Sequence, residues 1–100
     1  MKYSIVVEQQ AKDDLSRLRA FDQRKIMDSI QELLSANPTQ ISKSRIKRLR
    51  GVDSPQFRLR VNGFRVFYDV EDEQVRVLRV LPKEAVQEYL EEMGYEIENR

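Results

Sequence analysis

The chain has 100 residues, 40% hydrophobic and 35% charged, with formal net charge +1 and neither cysteine nor histidine. A chain of this length has room for one modest core, since it buries only roughly 60 to 65% of the surface its unfolded form exposes. The two absent residue types exclude disulfides, thiolate nucleophiles, imidazole bases and Cys or His metal ligation, so any catalysis must use Asp, Glu, Lys, Arg, Tyr or Ser.

The residues Tyr3 to Val7 are apolar and largely β-branched, which predicts a strand. Being apolar on both faces, it is expected to be central or covered. From Gln9 the spacing becomes helical, with Ala11, Leu15 and Leu18 on one stripe. A second helix follows, with Asp22 as the expected N-cap and Ile26, Met27, Ile30, Leu33 and Leu34 as its apolar stripe, ending at Asn37-Pro38. The short connection implies a helical hairpin with both stripes facing a sheet.

Thr39 to Ser54 has no sustained period and reads as a connector with at most one irregular turn. It carries Lys43, Arg45, Lys47, Arg48 and Arg50, a basic cluster suited to nucleic-acid phosphates because affinity grows with the number of charges neutralised. Beyond Ser54-Pro55 the period is two, and Asn62-Gly63 separates two alternating runs, Phe57 to Val61 and Phe64 to Val70. Asn-Gly in that position predicts a hairpin with a type I′ turn, positive φ at both residues. A third strand, Gln74 to Val80, follows an acidic turn. Ala85, Val86, Tyr89, Leu90 and Met93 then mark a closing helix stopped at Gly94. The expected order is β-α-α-β-β-β-α, an α+β fold with an antiparallel-rich sheet, in one domain over residues 1–93 with a tail over 94–100.

Charge follows this order: residues 1–42 hold six basic and six acidic side chains, 43–83 eleven and five, and 84–100 one and six. A positive middle attracts phosphate, although each run also fits a solvated face. Nowhere is there an apolar span near the roughly 20 residues of a membrane helix, and the first apolar run is far shorter than a signal core, so a cytoplasmic location away from membranes is expected.

A two-residue turn at Asn62-Gly63 fixes the register. Val61 opposes Phe64, Arg60 opposes Arg65, Leu59 opposes Val66, Arg58 opposes Phe67 and Phe57 opposes Tyr68. One face is then apolar, and the other carries Arg58, Arg60 and Arg65 around Phe67. Opposed arginines repel unless an anion or carboxylate lies over them. Continuing the register pairs Asp69 with Arg76. Three arginines and an aromatic ring form a cradle for a phosphodiester, with a plane for a base to stack on. The alternative is an exposed face paired with Glu84, Glu88, Glu91 or Glu92 of the closing helix.

The segment Leu49-Arg50-Gly51, followed by Phe57-Arg58-Leu59-Arg60-Val61-Asn62-Gly63-Phe64-Arg65-Val66-Phe67-Tyr68, resembles the core pattern of RelE/ParE-superfamily toxins of type II toxin-antitoxin systems. The order of elements matches over roughly residues 1–93. The resemblance, strongest to the RelE branch, implies a RelE-like fold, a cognate antitoxin, no small-molecule cofactor or metal, and endonucleolytic cleavage of mRNA on the ribosome by 2′-hydroxyl attack on the adjacent phosphate. It implies that Arg65 holds the scissile phosphate, Arg58 assists with phosphate or proton handling, and Arg60 is a neighbouring phosphate contact. By the six-residue spacing of the closing segment, it implies Lys83 at the leaving group and Tyr89 stacking on a base or positioning the 2′-hydroxyl. Tyr89 fits equally well as a core-facing aromatic. Gln56 stands where many nucleases of this branch carry lysine, and Lys83 replaces an arginine. A ParE-like gyrase inhibitor on the same scaffold, which needs no catalytic basic set, and a non-catalytic RNA-binding module are the alternatives.

Overall fold

Period-two alternation in the second half of the chain builds most of a five-stranded sheet in this computed structural model, which describes residues 2–94. Its strands are β1 (Ser4–Val7), β2 (Ile46–Arg48), β3 (Phe57–Val61), β4 (Phe64–Glu71) and β5 (Gln74–Pro82), in the spatial order β1-β5-β4-β3-β2. The helices are α1 (Gln9–Ser16), α2 (Ala20–Ser29) and α3 (Val86–Glu92). A π-helical stretch, Ile30–Leu34, continues α2, and a 3₁₀ turn, Lys83–Ala85, precedes α3. The fold is α+β with a mixed sheet, antiparallel except where β1 runs parallel to β5. Residues 95–100 of the expected tail lie outside the described residues. Among the described residues no helix is long and apolar enough to cross a membrane.

The β3–β4 register is the one the Asn-Gly turn predicts, all five pairs included. Asn62 takes the left-handed conformation (φ 53°), but Gly63 does not, so the turn keeps its two-residue length without the type I′ geometry. Asp69 does oppose Arg76. Between β4 and β5 the register slips at Phe67/Tyr68, leaving Leu78 as the extra residue of a bulge.

Alternation places two cores on opposite sides of the sheet. On one side Leu59, Val66, Tyr68, Val75, Val77 and Val80 pack with Ala11, Ile26, Ile30 and Leu34, the apolar stripes of the first two helices. The Phe57 and Tyr68 rings stack there at 5.4 Å, and the Tyr68 hydroxyl donates to the Pro38 carbonyl at 2.6 Å. On the other side Phe67 and Leu81 meet Tyr89 and Leu90 of α3, with Leu49 alongside.

Three further expectations are corrected. The first strand is not central: β1 forms an edge, and its Val6 is 37% exposed, because only β5 is available to pair with it. The Thr39–Ser54 connector contains a strand, β2, whose pairing with β3 rather than its own weak pattern makes it extended. Asp22 is not an N-cap but lies within the first turn of α2, where it pairs with Arg19 at 3.2 Å. The stop at Gly94 holds, with φ 96° and a bond from its amide to the Glu91 carbonyl.

One buried polar contact ties the layers together. Asp14 of α1, 6% exposed, accepts from Arg79 Nε (2.8 Å) and Nη2 (3.1 Å) and from the Val80 amide (2.9 Å). The last bond caps a stretch of β5 beyond the reach of the short β1. The Arg79 guanidinium also lies 5.4 Å above the Tyr89 ring, so one cation of β5 joins α1 through an ion pair and α3 through a cation–π contact.

Candidate nucleic-acid interface

Paired residues in neighbouring strands share a face, so the ladders Lys47–Arg58–Phe67–Arg79 and Arg60–Arg65–Leu81 both lie on the side of the sheet that carries α3. α3 covers Phe67 and Leu81 and stops short of the arginines. Arg58 is half-buried, and its buried Nε has no hydrogen-bond partner among the described residues. Burial lowers the Arg58 pKa, and the charges of Arg65 and then Arg60 lower it further. Burial also lowers that of Arg65, with Arg60 adding to the effect and Glu84 opposing it. Each of these guanidiniums thus sits in a field that disfavours its own charge.

None of the three finds a carboxylate within ion-pair distance among the described residues. The pairing with Glu84, Glu88, Glu91 or Glu92 is therefore not formed, and Glu84 acts on Arg65 only through its field. Asp69 is occupied elsewhere: its carboxylate accepts from the Ser54 hydroxyl and from the Gln56 amide (2.7 Å). Arg76 turns instead to Glu8 at 2.7 Å. Arg65 is aimed by its own turn, donating through Nη1 to the carbonyls of Asn62 and Phe64, both at 3.0 Å.

The structure brings some of the sequence-predicted residues together and separates others. Arg58, Arg60 and Arg65 form one cluster. Lys83 joins its rim, since its amide donates to the Gly63 carbonyl at 2.9 Å while its side chain stays exposed. Tyr89 does not join it as a stacking platform. Its ring is 7% exposed and packs on Phe67 at 5.0 Å, and burial pushes its pKa up to about 12. Phe67 is fully buried beneath α3, so the expected aromatic plane for a base is likewise spent on packing.

Of the basic cluster, Lys47 lies on the arginine face and Arg45 adjoins it, its Nε bonded to the Arg60 carbonyl at 2.9 Å. Arg48 is a correction: opposite Phe57 it belongs to the other face, with its guanidinium 5.1 Å above that ring. Lys43 and Arg50 are exposed on either side of β2. Gln56 has a structural task, accepting through Oε1 from the Val70 amide at 2.9 Å. Sequence reasoning missed the Asp14–Arg79 link, for which only a carboxylate on the helix's apolar side gave a signal. Among the described residues no group of three or more carboxylates gathers that could hold a metal.

Residues 5–86 match the model of the family described as the ParE toxin of the type II toxin-antitoxin system, parDE. No curated protein matches the chain significantly. Among solved structures, the chain is similar to an archaeal RelE–RelB complex from Pyrococcus horikoshii OT3, at 23% identity and TM-score 0.67, covering 83% of this chain and 97% of that one. It is also similar to the toxin-antitoxin complex RelBE2 from Mycobacterium tuberculosis, at 24% identity and TM-score 0.68, covering 82% and 99%. The chromosomal ParDE system from P. aeruginosa matches at 14% identity and TM-score 0.59, covering 81% and 96%.

Proposed function

This chain belongs to the ParE toxin family of type II toxin-antitoxin systems, and on the geometry of its arginine face we propose that it acts on RNA, as an endonuclease that cleaves mRNA on the ribosome. The observation that carries this reading is the cluster of Arg58, Arg60 and Arg65, mutually repelling and, among the described residues, without a carboxylate partner, with a buried Arg58 Nε that finds no acceptor there. A phosphodiester supplies what the cluster lacks, because its oxygens accept charge-assisted bonds from guanidinium forks. Lys47, Arg45, Lys43 and Arg50 extend the positive surface along the backbone of the bound strand. Arg48 is left out, since it faces the helices.

In the cleavage step the ribose 2′-oxygen bonds to the adjacent phosphorus, the bond from phosphorus to the 5′-oxygen breaks, and a cyclic phosphate remains. Arg65 and Arg58 stabilise the charge that accumulates on the phosphoryl oxygens. Lys83 neutralises the departing 5′-oxygen, which takes its proton from the ammonium or from water. The 2′-hydroxyl proton leaves to solvent, because a guanidinium hardly deprotonates and the Tyr89 phenol, held near 12, is a poor base at neutral pH. Tyr89 supports the site by packing on Phe67, the cross-strand neighbour of Arg58.

Mapping mRNA ends in a translating extract tests this reading. Wild type is expected to produce new cuts, and Arg65→Ala to lose them while its circular dichroism is unchanged. Undiminished cutting or toxicity in Arg65→Ala refutes the site. The family match and the commitment of Tyr89 to packing favour a second reading, a gyrase inhibitor without catalysis. DNA damage and filamentation on expression, with translation continuing, would establish it.

A further inference from the structure

We propose that the cleft between α2 and the open end of β3 is a subsite for one unpaired nucleotide next to the strand held on the arginine face, an inference that rests on the RNA reading above. The cleft encloses about 560 Å³, within the range of ordinary small-ligand sites. Three cations line it: Lys25 from α2, Arg45 before β2, and Arg60 from β3. Arg60 opposes Arg65 across the hairpin, and Arg45 is bonded to the Arg60 carbonyl, so the cleft is continuous with the arginine cluster. A chain of phosphates leaving that cluster past Arg60 passes directly into it.

The remaining lining suits a base rather than a second bare phosphate. Leu33 and Val61 give an apolar wall, and Ser29 and Ser44 offer hydroxyls. Glu32 stands among the cations yet, among the described residues, forms no ion pair within 4.0 Å, and neither does Lys25. A carboxylate left free in this position accepts from an exocyclic amine, as on cytosine, and finds no donor of that kind on uracil. Guanidinium planes of Arg45 or Arg60 stack on a base where no aromatic ring is at hand. Glu32 is thus the specificity-determining residue, and Lys25 holds the phosphate on the far side of the cleft.

The test is amide chemical-shift mapping of the purified chain with hexacytidylate and hexauridylate, which reads binding without requiring cleavage. Hexacytidylate is expected to shift the amides of Ser29 and Ser44 together with those of Arg65 and Phe67, and to bind about tenfold tighter than hexauridylate. Glu32→Ala should erase that preference, and Lys25→Glu should weaken binding about tenfold and silence the cleft amides alone. Both positions are exposed, so the fold is expected to survive. Shifts confined to the arginine face and indifferent to Lys25→Glu overturn the subsite and leave the face intact as an RNA site. Shifts confined to the cleft show a nucleotide pocket there but overturn the proposal that it adjoins a strand on the arginine face. Equal cleft shifts with a polyglutamate peptide of matched charge overturn the nucleotide assignment in favour of an acidic protein segment. No shift at either place overturns both.

Discussion

Replacing Arg58 by methionine is expected to make the fold more stable while weakening its hold on RNA. Methionine keeps an unbranched stem beside Phe67 and removes the guanidinium. A buried donor without a partner costs about 1 to 3 kcal/mol. Because Arg58 is only half-buried, the low end, about 1 kcal/mol, applies to its Nε. Like charges facing each other across strands cost roughly 0.2 to 1 kcal/mol; Lys47 directly opposes Arg58, and Arg65 and Arg60 act on it from diagonal and same-strand positions. The expected gain is therefore about 1 to 2 kcal/mol, a rise in melting temperature of roughly 4 to 16 °C for a domain of this size. Thermal unfolding should be followed at low and high salt. As the screening length falls from about 10 Å at 0.1 M to about 3 Å at 1 M, the repulsive part fades and the two proteins draw closer. The plot of log affinity against log salt should flatten by about 0.7, one phosphate contact with a single strand. Arg48→Met is the control of opposite sign, because it removes a cation over Phe57 worth about 0.5 to 1 kcal/mol. If Arg58→Met melts below wild type at both salts, the cluster is a stabilising element and not an unrelieved repulsion.

Asp14→Asn is expected to cost about 3 to 5 kcal/mol in denaturant unfolding, because it leaves Arg79 partly buried without a counter-charge; a loss under about 1 kcal/mol would show the pair to behave like a surface one. Burial raises the folded-state pKa of Tyr68 and of Tyr89, the latter to about 12, above the ordinary value of 10. The neutral phenols therefore favour the folded state fully below pH 10, and this share, roughly 2 to 3 kcal/mol for Tyr89, is lost as pH rises from 10 through 12. Their phenolate absorbance should appear only together with loss of circular dichroism, and ionisation of all tyrosines in a folded chain would contradict it. Because the 2′-hydroxyl proton leaves to solvent in the proposed step, single-turnover cleavage should rise log-linearly with pH between 6 and 8, and a bell-shaped profile would reveal a general base elsewhere.

The hairpin was legible because its determinants are local. A two-residue turn plus strict alternation fixes which side chains share a face, and Arg58, Arg60 and Arg65 follow directly. β2 was not legible, because Ile46 to Arg48 is extended by virtue of the edge that β3 offers, a partner distant in sequence. The same strand splits a basic run that looks uniform in sequence, with Lys47 on one face and Arg48 on the other. Tyr89 and Phe67 were ambiguous for a related reason. Helical spacing places Tyr89 on an apolar stripe, but the stripe's partner is the arginine side of the sheet, which alternation alone leaves uncovered. Asp14 escaped notice because its partners, Arg79 and the Val80 amide, are brought to it only by the bulge and the short β1.

The division of the sheet into an anchored side and a repelling side has a consequence for regulation. The core under α1 and α2 holds the fold, whereas the side under α3 carries Arg58, Arg60 and Arg65, which form no ion pair among the described residues. Any partner that lays carboxylates or phosphates over Arg58, Arg60 and Arg65 removes the repulsion and supplies the missing acceptor. It thereby stabilises the native state by linkage, about 2.7 kcal/mol when present at 100 times its dissociation constant. On the proposed function, the same contact blocks the face from RNA. An antitoxin that places acidic residues there would gain its affinity from the same repulsion that the proposed RNA site uses. Protection of the toxin fold and inhibition of the toxin would then be one binding event, separable by no substitution within the cluster. A variant such as Arg58→Met, already relieved of repulsion, should gain less stability from the antitoxin than wild type does, in proportion to the repulsion it has lost.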